Sequence, residues 1–355
     1  MTASFKELSE ILAIESECGN ERAFAEKMAE QLLEYTGKEN IEIDRLNNVI
    51  AYIGDRSKPV LMLSAHQDEL SLIVTKIEDN GFLRVLNIGG TDRRTLLSAE
   101  GVLKVKADNE DGYELLPVIF CNTPPHLLKP GTANNIPEYK ELFVDTGLPA
   151  EVVKKKVRPS DRIYIKAPIT ELLNNRVASK ALDNKLCVYA IMTALKKLKM
   201  AIKHDELDVC LAILFASQEE VGSRGARVGT YAINPDEAII LDVTFAKQPG
   251  VSDCAEMGKG AVIEYSTIFD KQLTNKIRKA ADSKGITYQV WAEAVNMGTD
   301  ADMVQTMRCG VKTTLVSVPI RNMHTPVEVA DLSDVESAAE ILKAYIETFL
   351  KEDVK

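Results

Sequence analysis

The sequence predicts an α/β protein: a mostly parallel sheet with helices on both faces, interrupted by a small β-rich insert. Three observations predict it. First, short apolar runs at 60–65, 209–216, 238–241 and 313–318 read as fully buried strands. Second, segments with helical periodicity alternate with those runs, the pattern of a parallel sheet with crossover helices. Third, from about Ser71 the texture changes to short alternating segments separated by turn residues, which suits a small β domain. The α/β domain therefore occupies 1–70 and 168–355, and the insert 71–167.

The elements follow in order. Residues 4–16 and 21–36 have helical periodicity, broken by the run ESECGNE, with Asn20 placed as N-cap. Strands are expected at 41–44 and 48–53. Lys58-Pro59 then starts a third, which runs into His66-Gln67-Asp68-Glu69. The insert offers strands at 72–77, 82–86, 101–107, 116–120, 142–145 and 162–165. Turn signals lie at 79–81, 89–90 and 109–112, and a Pro-rich loop at 122–131. Beyond it come a helix over 183–200 and a strand over 208–217. That strand leads into Glu219-Glu220, and Gly222 and Gly225 allow a tight turn there. A strand at 238–241, a Gly-rich loop at 250–260 and a helix at 271–284 follow. A strand at 288–290, a helix at 300–308, the strand at 313–318 and a closing helix at 333–350 complete the chain.

Composition narrows the function classes. The 355 residues are 45% hydrophobic and 27% charged, as in soluble globular proteins. A net charge of −10 argues against nucleic acid or an anionic membrane as partner. No run has the length of a membrane span. The first sixteen residues carry Lys and Glu within their apolar pattern, so they read as an amphipathic helix and not as a signal peptide. Six scattered cysteines without a CxxC pair imply reduced thiols and a cytoplasmic protein.

The chemistry collects at strand ends. His66 and Asp68 end one apolar strand, Glu219 and Glu220 another, and Asp242 a third. His324 follows a fourth, and Asp183 opens a helix. Any one of these is ordinary alone: Asp183 as an N-cap, His324 as a turn residue, Glu219-Glu220 as a solvated pair at a helix start. Together they converge, because the carboxyl ends of parallel strands face one crevice, where ligands bind. Two imidazoles and several carboxylates without Cys suit zinc, cobalt or manganese. The set exceeds the needs of one ion and fits a pair about 3.5–4 Å apart sharing a carboxylate, with Asp183 as the bridge. Asp68, two residues from His66 on the same strand face, can accept the imidazole N–H and orient the ring. Of the two adjacent glutamates, one can hold a cation and the other face water or substrate. His126 and His204 lack such partners and read as surface residues.

At this point the motifs resemble the dinuclear-metal glutamyl aminopeptidases that assemble as tetrahedral particles, the TET aminopeptidases, whose members were once described as cellulases or endoglucanases. The carriers are SAHQDE at 64–69, SKALDNK at 179–185, ASQEEVGSRGA at 216–226, LDVT at 241–244, MGTDAD at 297–302 and PIRNMHTPVEV at 319–329. VIFCNTPPHL at 118–127 and LFVDTGLPAEV at 142–152 match in the insert. The resemblance implies His66 and Asp242 as terminal metal ligands, Glu220 and His324 as further ligands and Asp183 as the bridge between two divalent ions per subunit. It implies Glu219 as general base, Asp68 as the orienter of His66, and a cis peptide after Asp183. It also implies peptide substrates, and an insert that makes dimers which build a twelve-subunit shell. Asn184-Lys185 departs from the usual Asp-Arg, and Ser71, Ser223 and Asn322 are further departures; none is a ligand. Two other readings use the same residues: a dinuclear deacylase or glycan-active hydrolase, and a non-catalytic scaffold. The scaffold predicts lost ligands or a lost base, and both are present.

Overall fold

The computed structural model describes residues 3–107, 112–131, 135–294 and 297–351. The turn signal at 109–112 lies largely outside the described residues. The chain forms two compact units. One takes the residues up to Glu69, Ile169–Met323 and those from Glu328 onward; the other takes Leu70–Pro168 and His324–Val327.

The first unit is a mixed α/β structure. At its centre Cys210–Ala216, Val60–His66, Glu237–Phe245 and Lys312–Arg321 run parallel in that spatial order. The flanks are antiparallel. Val49–Ile53 and Ile41–Ile43 extend one side, and Glu328–Asp331, Arg176–Ser179 and Thr170–Leu172 the other. Val262–Ser266 pairs antiparallel with Lys312–Arg321 and parallel with Gln289–Glu293. The expected mostly parallel sheet is therefore parallel in its four central strands and in the pair Val262–Ser266 with Gln289–Glu293, and antiparallel elsewhere among the described strands. The reason is connection length: short links such as the one between Thr170–Leu172 and Arg176–Ser179 can only reverse the chain. Asn174 and Asn175 turn that hairpin at φ of 59° and 61°, a region asparagine tolerates.

Alternation along the central strands sends side chains to two cores. Leu61, Leu63 and Ala65 join a core with residues of helices Leu182–Lys203 and Leu332–Ile346. Met62 joins another with Leu214, Ala226 of helix Arg224–Ile233 and Val304 of helix Asp300–Val304. Helices therefore cover both faces, and Cys210–Ala216 is buried throughout, as its unbroken apolar run requires. Each large aliphatic side chain buried there contributes about 1.5–3 kcal/mol.

The second unit is a closed six-stranded barrel in the order Ser71–Ile77, Leu83–Ile88, Phe143–Asp145, Tyr113–Phe120, Glu100–Lys106, Arg162–Ile165. Leu72, Val85, Leu103, Phe120, Val144 and Ile163 fill it. Helix Ala150–Lys156, which alternation does not reveal, lies in the same unit.

Several expected boundaries move. The second helix is Arg22–Leu32, capped at Glu21 without a side-chain bond, so Asn20 is not its N-cap. The Asn20 amide donates instead to Glu17 at 3.0 Å. The expected 300–308 helix stops at Val304.

Candidate metal centre

His66 is the last residue of its strand, and the register pairs Ser64 with Ile240 on the neighbouring strand. Two residues further on, His66 and Asp242 fall on one face of the sheet. His66 Nε2 lies 3.0 Å from Asp183 Oδ1 and 3.8 Å from Asp242 Oδ1. All three residues are buried, and each offers a ligand atom within 4.8 Å of the others. Asp242 sits inside its strand rather than at its end, because pairing with Lys312–Arg321 continues to Phe245 and Ile320.

Asp183 is the second residue of its helix, but it and Asn184 leave helical geometry and are joined by a cis peptide bond. Two hydrogen bonds hold this corner. The Glu328 carboxylate accepts the Asp183 N–H at 3.1 Å, and the Asn184 amide donates to the Leu241 carbonyl at 2.9 Å. Leu241 directly precedes Asp242, so one hydrogen bond ties two candidate ligands together.

Glu219 and Glu220 lie in the turn after Cys210–Ala216. Their backbone N–H groups donate to Asp68 Oδ1 and Oδ2 at 2.9 and 3.2 Å. This alters the expected place of Asp68. The nearer acceptor to His66 Nδ1 is the Asp68 carbonyl at 3.2 Å, with the carboxylate at 3.5 Å, because two amides hold that carboxylate. The Ser223 hydroxyl donates to Glu219 Oε1 at 3.4 Å.

A residue that local pattern did not reveal clamps the turn. Asn48 is fully buried, and its Oδ1 accepts from the Ser217 N–H at 2.8 Å and the Ser217 hydroxyl at 3.1 Å. Its Nδ2 donates to Asp44 Oδ2 at 2.7 Å and to the Gly225 carbonyl at 3.1 Å. Only glycine fits at 225, where a Cβ would lie 2.2 Å from the Ser217 carbonyl oxygen and 2.3 Å from Asn48 Oδ1.

His324 belongs to the second unit. Its carbonyl accepts the Asp92 N–H at 3.2 Å, and a Cβ at Gly90 would meet its Nδ1 at 2.8 Å. His126 and His204 are exposed.

The electrostatics are those of crowded acids. Burial pushes the Glu219 carboxyl up to about 7; the His66 charge opposes this, and the Asp68 and Asp183 charges add to it. Glu220 and Asp242 are raised well above the usual carboxylate range, first by burial and then, with His66 opposing, by neighbouring acids, Asp183 among them. Burial lowers the proton affinity of His66, but Asp183, Asp68, Asp242 and Glu219 together hold it well above the ordinary imidazole value. Asp300 is buried, and burial and the Glu219 and Asp68 charges raise it strongly, with the His66 charge and the Ser223 hydroxyl opposing. So many buried acids around one imidazole repel one another, and bound divalent cations would relieve that repulsion. With imidazole and carboxylate as the donors, the residues fit zinc, cobalt or manganese.

Lys180 and Lys185, close in sequence to Asp183, serve a different cluster. Lys180 bonds Glu15 and Glu69 at 2.7 Å each. The fully buried Lys185 donates to the Ile14 carbonyl at 2.6 Å and to Glu69 at 3.2 Å.

A buried cluster of His and carboxylates beside the carboxyl ends of parallel strands is a candidate divalent-metal site of the kind α/β enzymes carry. Comparison with known proteins narrows this further. Residues 47–341 match the family model described as M42 glutamyl aminopeptidase, and the chain belongs to that family. A lysyl aminopeptidase of Pyrococcus furiosus is 33% identical over 87% of this chain and 87% of its own. Among solved structures, an aminopeptidase from the archaeon Desulfurococcus kamchatkensis superposes with a TM-score of 0.86 at 31% identity, covering 98% of this chain and 95% of that one. The TET1 peptidase of Pyrococcus horikoshii, which can assemble into a tetrahedron or a large octahedral shell, gives 0.83 at 27% identity, covering 97% and 99%. The chain is thus a peptide hydrolase of the aminopeptidase type. Among the described residues no helix is long and apolar enough to cross a membrane.

Proposed function

We propose that this chain is a two-metal aminopeptidase that releases N-terminal residues from peptides. The observation that carries the reading is the buried His66–Asp183–Asp242 cluster beside Glu219. His66 and Asp242 would hold one divalent ion, Glu220 and His324 the other, with Asp183 between them. When bound, such ions supply a water acidified toward neutrality and polarise the scissile carbonyl.

Glu219 is the general base. It takes a proton from the attacking water on a carboxylate oxygen and passes it to the leaving amine. A carboxylate beside the cluster can accept a proton from water and return it to the leaving amine. Asp68 keeps Glu219 in place through the backbone N–H of 219 and holds His66 from the Nδ1 side. The acidic surroundings favour a free α-ammonium on the substrate, which sets the exopeptidase register.

The protein would act in the cytoplasm as a homo-oligomer. Tyr113, Leu115 and Ile119 leave an exposed apolar stripe on one barrel strand, a surface that suits a second copy of the chain. Dimers through this barrel, built into a dodecamer, are the expected assembly.

Chelation tests the reading. Hydrolysis of aminoacyl-p-nitroanilides should vanish on treatment with a chelator and return with zinc, cobalt or manganese, while N-acetylated analogues stay intact. Activity that survives complete removal of metal, or equal cleavage of the blocked analogues, would sink it. A deacylase would prefer the blocked compounds.

A further inference from the structure

Beside the candidate centre lies a cavity of about 220 Å³. Val243 and Thr244, the residues after Asp242, line it, and so does Ser317, the register partner of Asp242. Val262 pairs in turn with Ser317, which places Glu264, two residues further on, on the same face. The cavity therefore starts one strand over from a candidate ligand. A side chain on the residue whose carbonyl is attacked would enter it.

We propose that this cavity receives the side chain of the substrate's first residue and selects lysine or arginine there, an inference that rests on the aminopeptidase reading. Glu264 lines the cavity and is only 2% exposed, and no ion pair engages it among the described residues. Glu293 and Asp253 add two more carboxylates at the exposed rim. The Trp291 indole N–H donates to Glu293 Oε1 at 2.9 Å and holds that acid in place. No Lys, Arg or His is among the described lining residues. A buried carboxylate without a cation is costly, and an ammonium or guanidinium entering with substrate relieves that cost. The walls suit the rest of such a side chain. Trp291, Phe245 and Leu315 offer apolar surface to the methylene stem and an aromatic face to the cation.

An acidic first residue is disfavoured on the same grounds. It would meet three carboxylates, and no Lys, Arg or His among the described lining residues would offset them. Lys180 and Lys185 are bound to Glu69, and the Arg321 Nε donates to the Lys247 carbonyl at 2.9 Å.

The test uses the full-length protein loaded with cobalt or zinc and p-nitroanilides of Lys, Arg, Leu and Glu. The Lys and Arg compounds should exceed Leu in kcat/KM by roughly 10- to 100-fold, the value of one charge-assisted contact, and Glu should be the poorest. In Glu264→Gln the Lys-to-Leu ratio of kcat/KM should fall about tenfold or more, mainly through KM. Glu293→Lys, at an exposed site, should lower the same ratio and raise the relative rate on Glu. Efficient cleavage of Leu or Glu compounds with no preference for Lys would overturn this proposal and leave the aminopeptidase reading standing. Unchanged ratios in both variants would overturn it too. Failure to cleave any of the four compounds with any metal would remove the aminopeptidase reading and this inference with it.

Discussion

Replacing Asn48 by alanine probes how the turn carrying Glu219 is held. The side chain makes three neutral hydrogen bonds, two with Ser217 and one with the Gly225 carbonyl, and one to the Asp44 carboxylate. Neutral bonds contribute about 1 kcal/mol each and a charged one about 2, so complete loss approaches about 5 kcal/mol. Partial relaxation and entry of water bring the expected destabilisation to about 3–4 kcal/mol. Urea unfolding of the metal-loaded protein, followed by circular dichroism, measures it. The turn also positions Glu219, and a displacement near 1 Å costs on the order of a hundredfold in rate, so kcat on a preferred substrate should fall about 10- to 100-fold. Asn48→Asp is the informative companion. It keeps the acceptor for Ser217, loses both donors and sets a second negative charge against Asp44, so it should be at least as damaging above neutral pH. Wild-type stability together with a kcat within about threefold in Asn48→Ala would refute the clamp.

Other expectations follow from the same geometry. Glu219→Gln should lower kcat by about 10²- to 10⁴-fold, the usual worth of a general base, while metal analysis still finds the wild-type ion content; substantial residual turnover would end that assignment. Glu264→Gln tests burial through pH. Burial pushes this carboxyl up to about 7, the Ser317 hydroxyl opposing and the Glu293 charge adding, from 4.5 in the unfolded chain. Below 4.5 it is protonated in both states and contributes nothing; between 4.5 and 7 the unfolded chain releases the proton first, so stability falls as pH rises, and above 7 the penalty is complete at about 3 kcal/mol. The variant should therefore match wild type at pH 4 and be more stable at pH 8 without substrate; an equal effect at both pH values would contradict this origin. Gly225→Ala should be poorly folded or inactive, since its Cβ meets backbone on one side and Asn48 on the other; a soluble, fully active variant would show that the turn can shift.

Much of the architecture was legible because periodicity is local. The unbroken apolar run over 210–216 is a strand buried on both faces, and the alternating segments after Ser71 form the six strands of a barrel. The antiparallel flanks were not legible, since a strand's direction depends on which neighbour it meets. The hairpin over 170–179, with each residue of Thr170–Leu172 exposed, carried too little apolar signal to register as strands. Helix Ala150–Lys156 buries only Val153, so it too left little pattern.

Residue order was enough to supply the kinds of chemical group available, His and carboxylate without Cys, and to put most of them at or near the ends of apolar strands. Residue type and alternation are properties of neighbours along the chain, so they survive in one dimension. The tertiary structure alone decided which partner each group takes. Asn48 reaches Ser217 across 169 residues, the Asp68 carboxylate turns to the amides of 219 and 220, and Glu264 lines a cavity beside Asp242 without a cation. Hydrogen bonds and buried charges answer to distances of a few ångströms, and chain contacts across such separations are set only when the sheet has formed.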